Sequence, residues 1–78
     1  MTKYRTNEQF EEIVESATNG NWSQAFKECV DYGFYANDLI EMYEEREREM
    51  GGKPYTYFDI TDIARLAEGC CEARYKKD

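Results

Sequence analysis

Apolar side chains recur every three or four residues in four stretches of the chain, the spacing that places them on one face of an α-helix. The members of the first stretch are Phe10, Ile13, Val14 and Ala17. Thr6 and Gln9 have the spacing of a capping box, which predicts that this helix begins near Asn7. The dipeptide at positions 19–20, Asn-Gly, predicts that it ends near Thr18.

The second stretch predicts a helix that Asn21 caps and that Tyr32 and Gly33 end. Its apolar members are Trp22, Ala25, Phe26, Cys29 and Val30. Because the linker from the first helix is so short, the two helices must turn sharply as an αα-hairpin or corner. Their apolar faces then pack against each other or against a common neighbour.

The third stretch predicts a helix from about Ala36 to Met50, which residues 51–54 end. Its side chains expected to face inward are Leu39, Ile40, Tyr43 and Met50. Residues 55–58 favour β-structure, but four residues without a second strand cannot form a sheet. We therefore expect an extended connector there.

The fourth stretch predicts a helix that Asp59 or Thr61 caps and that runs to about Tyr75. Its apolar face is expected to comprise Ile60, Ile63, Ala64, Ala67, Cys70 and Cys71. The basic residues Arg74, Lys76 and Lys77 suit the negative end of a helix dipole. The chain is thus expected to be all-α, a compact bundle of about four short helices forming a single domain over residues 1–78.

Length and composition narrow the class of protein. With 78 residues the chain has room for one core, and a core of this size leaves only about 3–5 kcal/mol of net stability, so dimerisation or a partner could add to it. The first residues have no apolar segment typical of a signal peptide, which predicts a cytoplasmic protein, and we expect no membrane span. Three cysteines, two of them adjacent, do not form the pattern of a secreted disulfide framework and are expected to be reduced.

The sequence lacks the residues that many catalytic and metal-binding sites require. The sequence has no histidine, which removes the commonest general base and the Ser-His and Cys-His nucleophile pairs. It also has no phosphate-binding glycine loop, no EF-hand and no Cys-x-x-Cys pair. Neighbouring residues on a helix point about 100° apart, so Cys70 and Cys71 cannot easily bind one metal with Cys29. We expect no enzyme activity, no metal and no cofactor, and we expect the cysteines to serve packing.

The acidic residues are unevenly placed. Residues 6–45 contain ten acids and one base, Lys27, whereas the rest of the chain nearly balances. The acids of the first helix follow one ridge opposite its apolar face: Glu8, Glu11, Glu12 and Glu15. The candidate acids of the third helix are Glu41, Glu44, Glu45 and Glu49.

Two interpretations of the acidic ridges stay open. The acids could form an ordinary solvated face, with Glu44 and Arg48 paired four residues apart. They could instead meet a basic surface, because rows of carboxylates resemble the repeating charge of a nucleic-acid backbone. The same sign of charge disfavours direct binding to DNA or RNA.

The aromatic turn at residues 32–35 offers a second candidate contact. Tyr32 and Tyr35 could bind a partner, since tyrosine is enriched at interfaces. The alternative is that two of its three aromatic residues, which include Phe34, pack under the turn.

The small size, the acidity and the stretches 19–22 (NGNW) and 33–39 (GFYANDL) resemble small proteins of phages and other mobile elements. Some members of that group are anti-CRISPR or anti-restriction proteins whose acidic surface occupies the nucleic-acid groove of a host defence complex. The resemblance implies a phage-encoded DNA mimic that inhibits a basic, nucleic-acid-binding host protein in the host cytoplasm. It contains no diagnostic motif, so it assigns no residue a role.

Two further hypotheses compete with the inhibitor. A small helical adaptor or homodimeric subunit would dock through apolar and aromatic residues, and its binding would barely respond to salt. A small redox protein would need a reactive thiol at Cys70 or Cys71.

Overall fold

Four helices and the turns that join them form the structure, a computed structural model that describes residues 6–76. They are α1 (Asn7–Thr18), α2 (Trp22–Asp31), α3 (Ala36–Met50) and α4 (Ile60–Lys76). Residues 6–76 contain no strand, and residues 55–58 form the expected connector. The predicted all-α class and the four helices are confirmed.

The start of α1 is the predicted capping box. The Gln9 amide nitrogen donates to Thr6 Oγ1 at 3.2 Å, and the Thr6 amide nitrogen donates to Gln9 Oε1 at 3.0 Å. Both donors would otherwise be unsatisfied at the first turn. Asn21 is the N-cap residue of α2 as predicted, but its side chain makes no capping hydrogen bond.

Glycines with positive φ end α1 and α2 in the same way. Gly20 has φ +84°, and the next amide, of Asn21, donates back to the Ser16 carbonyl at 2.9 Å. Gly33 has φ +81°, and the Phe34 amide donates to the Cys29 carbonyl at 2.8 Å. This six-residue closure is the Schellman motif, which needs a left-handed residue and therefore favours glycine. It turns the chain tightly enough for α1 to pack on α2.

Helix α4 is the centre of the packing, since it contacts both α2 and α3, while α1 packs on α2. The buried core draws side chains from every helix, from the α2–α3 turn and from the connector. They are Phe10, Ile13, Val14, Ala17, Ala25, Cys29, Phe34, Leu39, Tyr43, Phe58, Ile63, Leu66, Ala67 and Cys70. Burying this much apolar surface is the main stabilising contribution to the fold.

Part of the predicted inward set lies outside the core. Met50 at the end of α3 is 63% exposed, and Ile60, Ala64 and Cys71 on α4 are also exposed. Leu66 is fully buried instead, although it was not among the predicted core residues. The apolar arc of α4 is wider than the core needs, and the core uses the side centred on Ile63, Leu66 and Cys70.

Candidate interaction surfaces

The four carboxylates of the α1 ridge have different surroundings. Glu8 and Glu15 are exposed and lie along the outer edge of the helix. Glu11 points to one side, where it meets α3 and the connector, and Glu12 points to the other, where it meets the end of α2. The structure therefore leaves two of the four without a role inside the protein.

Glu11 is held by two groups from distant parts of the chain. An Arg46 Nη2 atom on α3 lies 2.9 Å from Glu11 Oε2, and the Tyr55 hydroxyl donates to the same oxygen at 2.8 Å. Desolvation by burial, followed by the hydrogen bond to Glu11, raises the pKa of Tyr55 above its ordinary value. These contacts connect α1, α3 and the connector, so Glu11 positions elements of the fold.

Glu12 accepts a hydrogen bond from the hydroxyl of Tyr32, which belongs to the aromatic turn. This hydrogen bond is the largest cause that raises the pKa of Tyr32 to about 12. Tyr32 thus packs against α1 with its hydroxyl satisfied by a carboxylate.

The acids of α3 lie beside the first residue of α1. Glu41, Glu45 and Asp38 line a shallow depression together with Asn7, the first residue of α1. The start of α1 and the outer side of α3 therefore face the same region of solvent. We name the exposed carboxylates Glu8, Glu15, Glu41 and Glu45 the acidic surface.

The expected ion pair between Glu44 and Arg48 is not formed. Within residues 6–76, ion pairs join Lys27 to Asp31 and Arg46 to Glu11. Arg48 instead borders a depression with Glu41 and Glu45, while Glu44 and Glu49 are exposed to solvent.

The aromatic turn divides between core and surface. Phe34 is fully buried, Tyr32 is half-buried and Tyr35 is 55% exposed. The Arg74 guanidinium carbon lies 4.0 Å from the Tyr35 ring centroid, and Arg74 also donates to the Phe34 carbonyl. Tyr35 therefore offers one ring face at the surface and uses the other to hold the end of α4.

Two of the cysteines serve the core and the third lies outside it. Cys29 and Cys70 are buried, and Cys70 Sγ donates to the Phe34 carbonyl at 3.3 Å. A hydrogen bond from the Cys29 thiol lowers the pKa of Cys70 and raises that of Cys29. Burial raises the pKa of Cys29 further and partly opposes the lowering at Cys70. Cys71 is exposed. No group of three or more potential metal ligands occurs within the described part of the chain.

Sequence reasoning missed Arg46 and Tyr55 as partners of the acidic ridge. Arg46 lies in a run of alternating acids and bases in which periodicity selects no partner, and Tyr55 lies in the connector, where the side-chain direction depends on the fold. The only signal was chemical, a cation and a hydroxyl in a chain rich in carboxylates.

No helix within residues 6–76 is long and apolar enough to cross a membrane. No protein-family model, curated protein or solved structure matches the chain. The surfaces described above are therefore the basis for any assignment of function.

Proposed function

We propose that this protein acts by binding, as an inhibitor that places its acidic surface on the nucleic-acid-binding site of a basic protein. The partner is a host defence complex of the anti-CRISPR or anti-restriction kind, and the gene belongs to a phage or another mobile element. In this proposal the protein has no catalytic residues and acts in the cytoplasm of the host cell.

The observation that carries the proposal is that carboxylates of α3 border a region of solvent that the start of the acidic helix α1 also lines. Glu41 and Glu45 of α3 share a depression with Asn7, the first residue of α1, which Glu8 follows in the sequence. A ridge on one helix is common in acidic proteins, whereas two adjoining ridges make a two-dimensional array of negative charge. Such an array attracts basic surfaces and raises association rates with them.

The cations of the chain do little to neutralise this array. Arg46 is engaged by Glu11, and Lys27 of α2 lies 3.3 Å from Asp31 on the same helix. Arg48 is the one described cation that borders the depression of Glu41 and Glu45. The exposed acids of α1 and α3 therefore outnumber the cations beside them.

Among the predicted contact residues, Glu11 and Tyr32 support the surface from within, and the exposed acids make the contact. We assign contact to the acidic surface and to three further exposed acids, Glu12, Glu44 and Glu49, with Tyr35 at the margin; Glu12 also accepts the hydrogen bond from Tyr32. A contact of this kind weakens with salt, because exposed charges are screened over about 10 Å at 0.1 M ionic strength.

The test is affinity capture from a bacterial lysate with three tagged proteins at about 0.1 M and 0.5 M salt. They are the native chain, the variant Glu41→Gln/Glu45→Gln, and the control Glu68→Gln/Glu72→Gln. The control removes the same number of exposed charges from α4. The binding of each captured partner to DNA or RNA is then measured with and without the native protein.

We expect the native chain and the control to retain a nucleic-acid-binding protein at low salt and to displace its nucleic acid. The acidic-surface variant should bind it roughly tenfold more weakly, and the higher salt should release it. A partner that stays bound both to the Gln variant and at the higher salt would rule out the proposed inhibitor. It would favour an adaptor that docks through apolar residues.

A further inference from the structure

Helix α4 carries a second apolar face that its own core does not cover. Ile60, Ala64, Cys71 and Tyr75 are all exposed, with Ile60 at 53% and Tyr75 at 80%. Their spacings of four, seven and four residues place them within about 60° of one another around the helix. We name these four residues the α4 seam.

The seam borders a groove between α3 and α4. Ala36 and Ile40 of α3 form one side of the groove, while Ala64, Ala67 and Cys71 form the other together with the acids Glu68 and Glu72. Ile40 and Ala36 are only half-buried. Alternating spacings of three and four residues are the pattern with which one helix packs along another.

The charge of α4 distinguishes it from the acidic helices. Its 17 residues contain three acids and three bases, whereas α1 has four acids and no base and α3 has six acids and two bases. Two copies of a chain with net charge −7 repel each other least where they meet through α4. A second copy of the chain therefore meets less electrostatic repulsion at this face than at the acidic faces of α1 and α3.

The order of residues along the seam fits a twofold axis. Ile60 and Tyr75 lie equally far from the point between Ala67 and Glu68, and so do Ala64 and Cys71. In an antiparallel pair, Ile60 of each chain meets Tyr75 of the other, and Ala64 meets Cys71. The small residues lie near the centre, where they let the helices approach, and the large ones close the ends. Such a contact is self-complementary, as a twofold interface requires.

Charges beside the seam complement each other in the same arrangement. Arg65, Glu68 and Glu72 occupy one flank of α4, and the Arg65 guanidinium carbon is held 4.2 Å from the Trp22 ring centroid. An antiparallel copy brings the Arg65 of each chain within a turn of the Glu68 and Glu72 of the other. The helix dipoles also run in opposite directions, which is the favourable orientation.

We propose that two copies of this chain pair through antiparallel α4 helices, each seated in the groove between α3 and α4 of the other. The pairing leaves the outer sides of α1 and α3 free, so it does not depend on the proposed inhibitor function. A dimer presents two acidic surfaces, and a partner with two basic sites would be bound more tightly through both.

The first test measures the mass of the full chain by sedimentation equilibrium over a range up to about 1 mM. The native chain should form a dimer in a concentration-dependent manner, and Ala64→Glu should weaken the dimer at least tenfold. Ser23→Glu is the control, because it adds the same charge to an exposed position on α2, outside the seam and its charged flank. Helix content by circular dichroism shows that both variants remain folded.

A cross-linking test fixes the direction of the pair. In the Ala64→Cys variant, the introduced thiol should form a disulfide with Cys71 of the second copy when glutathione disulfide is supplied as the oxidant. Native Cys71 should not join its own counterpart, since the two lie about 10 Å apart along antiparallel helices, beyond the reach of a disulfide. A native chain that stays monomeric, a dimer that Ala64→Glu leaves intact, or a native Cys71 to Cys71 cross-link would each overturn the proposal.

Discussion

Gly69 lets α2 and α4 approach each other closely. A Cβ atom at this position would lie 2.2 Å from the nearest ring carbon of Phe26, far inside van der Waals contact. Phe26 is half-buried and packs against the core, and the same ring lies 5.8 Å from the Trp22 ring centroid. The ring can move aside only by disturbing Trp22, so glycine is favoured there over a residue with a Cβ atom.

Replacing Gly69 with alanine should destabilise the protein, although alanine is the better helix former. The overlap with Phe26 costs about 1–3 kcal/mol, and the gain in helix propensity recovers about 1 kcal/mol. Urea unfolding followed by circular dichroism measures the difference. In a Phe26→Ala background the same change should become stabilising, since only the propensity remains. Equal effects in both backgrounds would show that the ring is not the obstacle.

Single side chains were the least predictable level of this structure. The capping residues Thr6 and Gln9 were identified because their hydrogen bonds are local in sequence. The contact from Glu11 to Tyr55 spans 44 residues, and no local pattern contains it. For this reason the sequence could indicate an acidic ridge but could not separate its supporting carboxylate from its exposed ones.

At the scale of whole elements, the start of α4 rests on a reciprocal cap. Asp59 Oδ1 accepts from the Thr61 and Asp62 amides at 3.0 and 3.3 Å, and Asp62 Oδ2 accepts from the Asp59 amide at 3.0 Å. Of the two caps expected from the sequence, Asp59 is therefore the one formed. The backbone N–H of Asp62 is the largest cause that lowers the pKa of Asp59 below 3.8.

The cap should make the stability of the protein fall at low pH. Because the pKa of Asp59 is lower in the folded state, the stability from its ionised form is present above about pH 4. That contribution is lost as the pH falls through the folded value. Asp59→Ala should lower the thermal midpoint at pH 7 and reduce its fall on acidification, whereas Asp59→Asn should retain the cap and lose only the pH dependence. A midpoint for Asp59→Ala that matches the native one at pH 7 would contradict this role.

Helix boundaries were predictable because their signals are local, whereas the rotation of a helix on the core was not. Gly20, Gly33 and Gly51 end three helices at positions that the sequence indicated. On α4, apolar residues cover nearly half of the circumference, so periodicity could not select Leu66 over Ile60. The neighbouring helices made that selection, and they left the α4 seam exposed.

At the scale of the molecule, the acids of α3 lie beside the first residue of the acidic helix α1, which the linear sequence does not indicate. Glu41 and Glu45 share a depression with the start of α1, although more than 30 residues separate them along the chain. The all-α class followed from four periodic stretches, but the position of the α3 acids beside the start of α1 depends on how α1 packs on α2 and how α2 and α3 pack on α4. The folded state therefore contains repulsion that the unfolded chain largely avoids.

Salt should consequently stabilise the folded protein. Like charges four residues apart cost a few tenths of a kcal/mol each, and screening shortens from about 10 Å at 0.1 M to 3 Å at 1 M. We expect the free energy of unfolding to rise by about 1 kcal/mol between low salt and about 0.5 M sodium chloride, as measured by urea titration. The variant Glu8→Gln/Glu15→Gln should be more stable than the native chain at low salt and should respond less to added salt.

The same charges give stability and partner binding opposite responses to salt. Screening removes repulsion within the acidic surface, and it also removes the attraction of that surface for a basic partner. Over one salt range the thermal midpoint of the native chain should rise while its affinity for the partner falls. In Glu41→Gln/Glu45→Gln both slopes should become shallower together, because both arise from the same carboxylates. A variant that flattens the stability response and leaves the salt dependence of binding intact would place the partner contact elsewhere on the molecule.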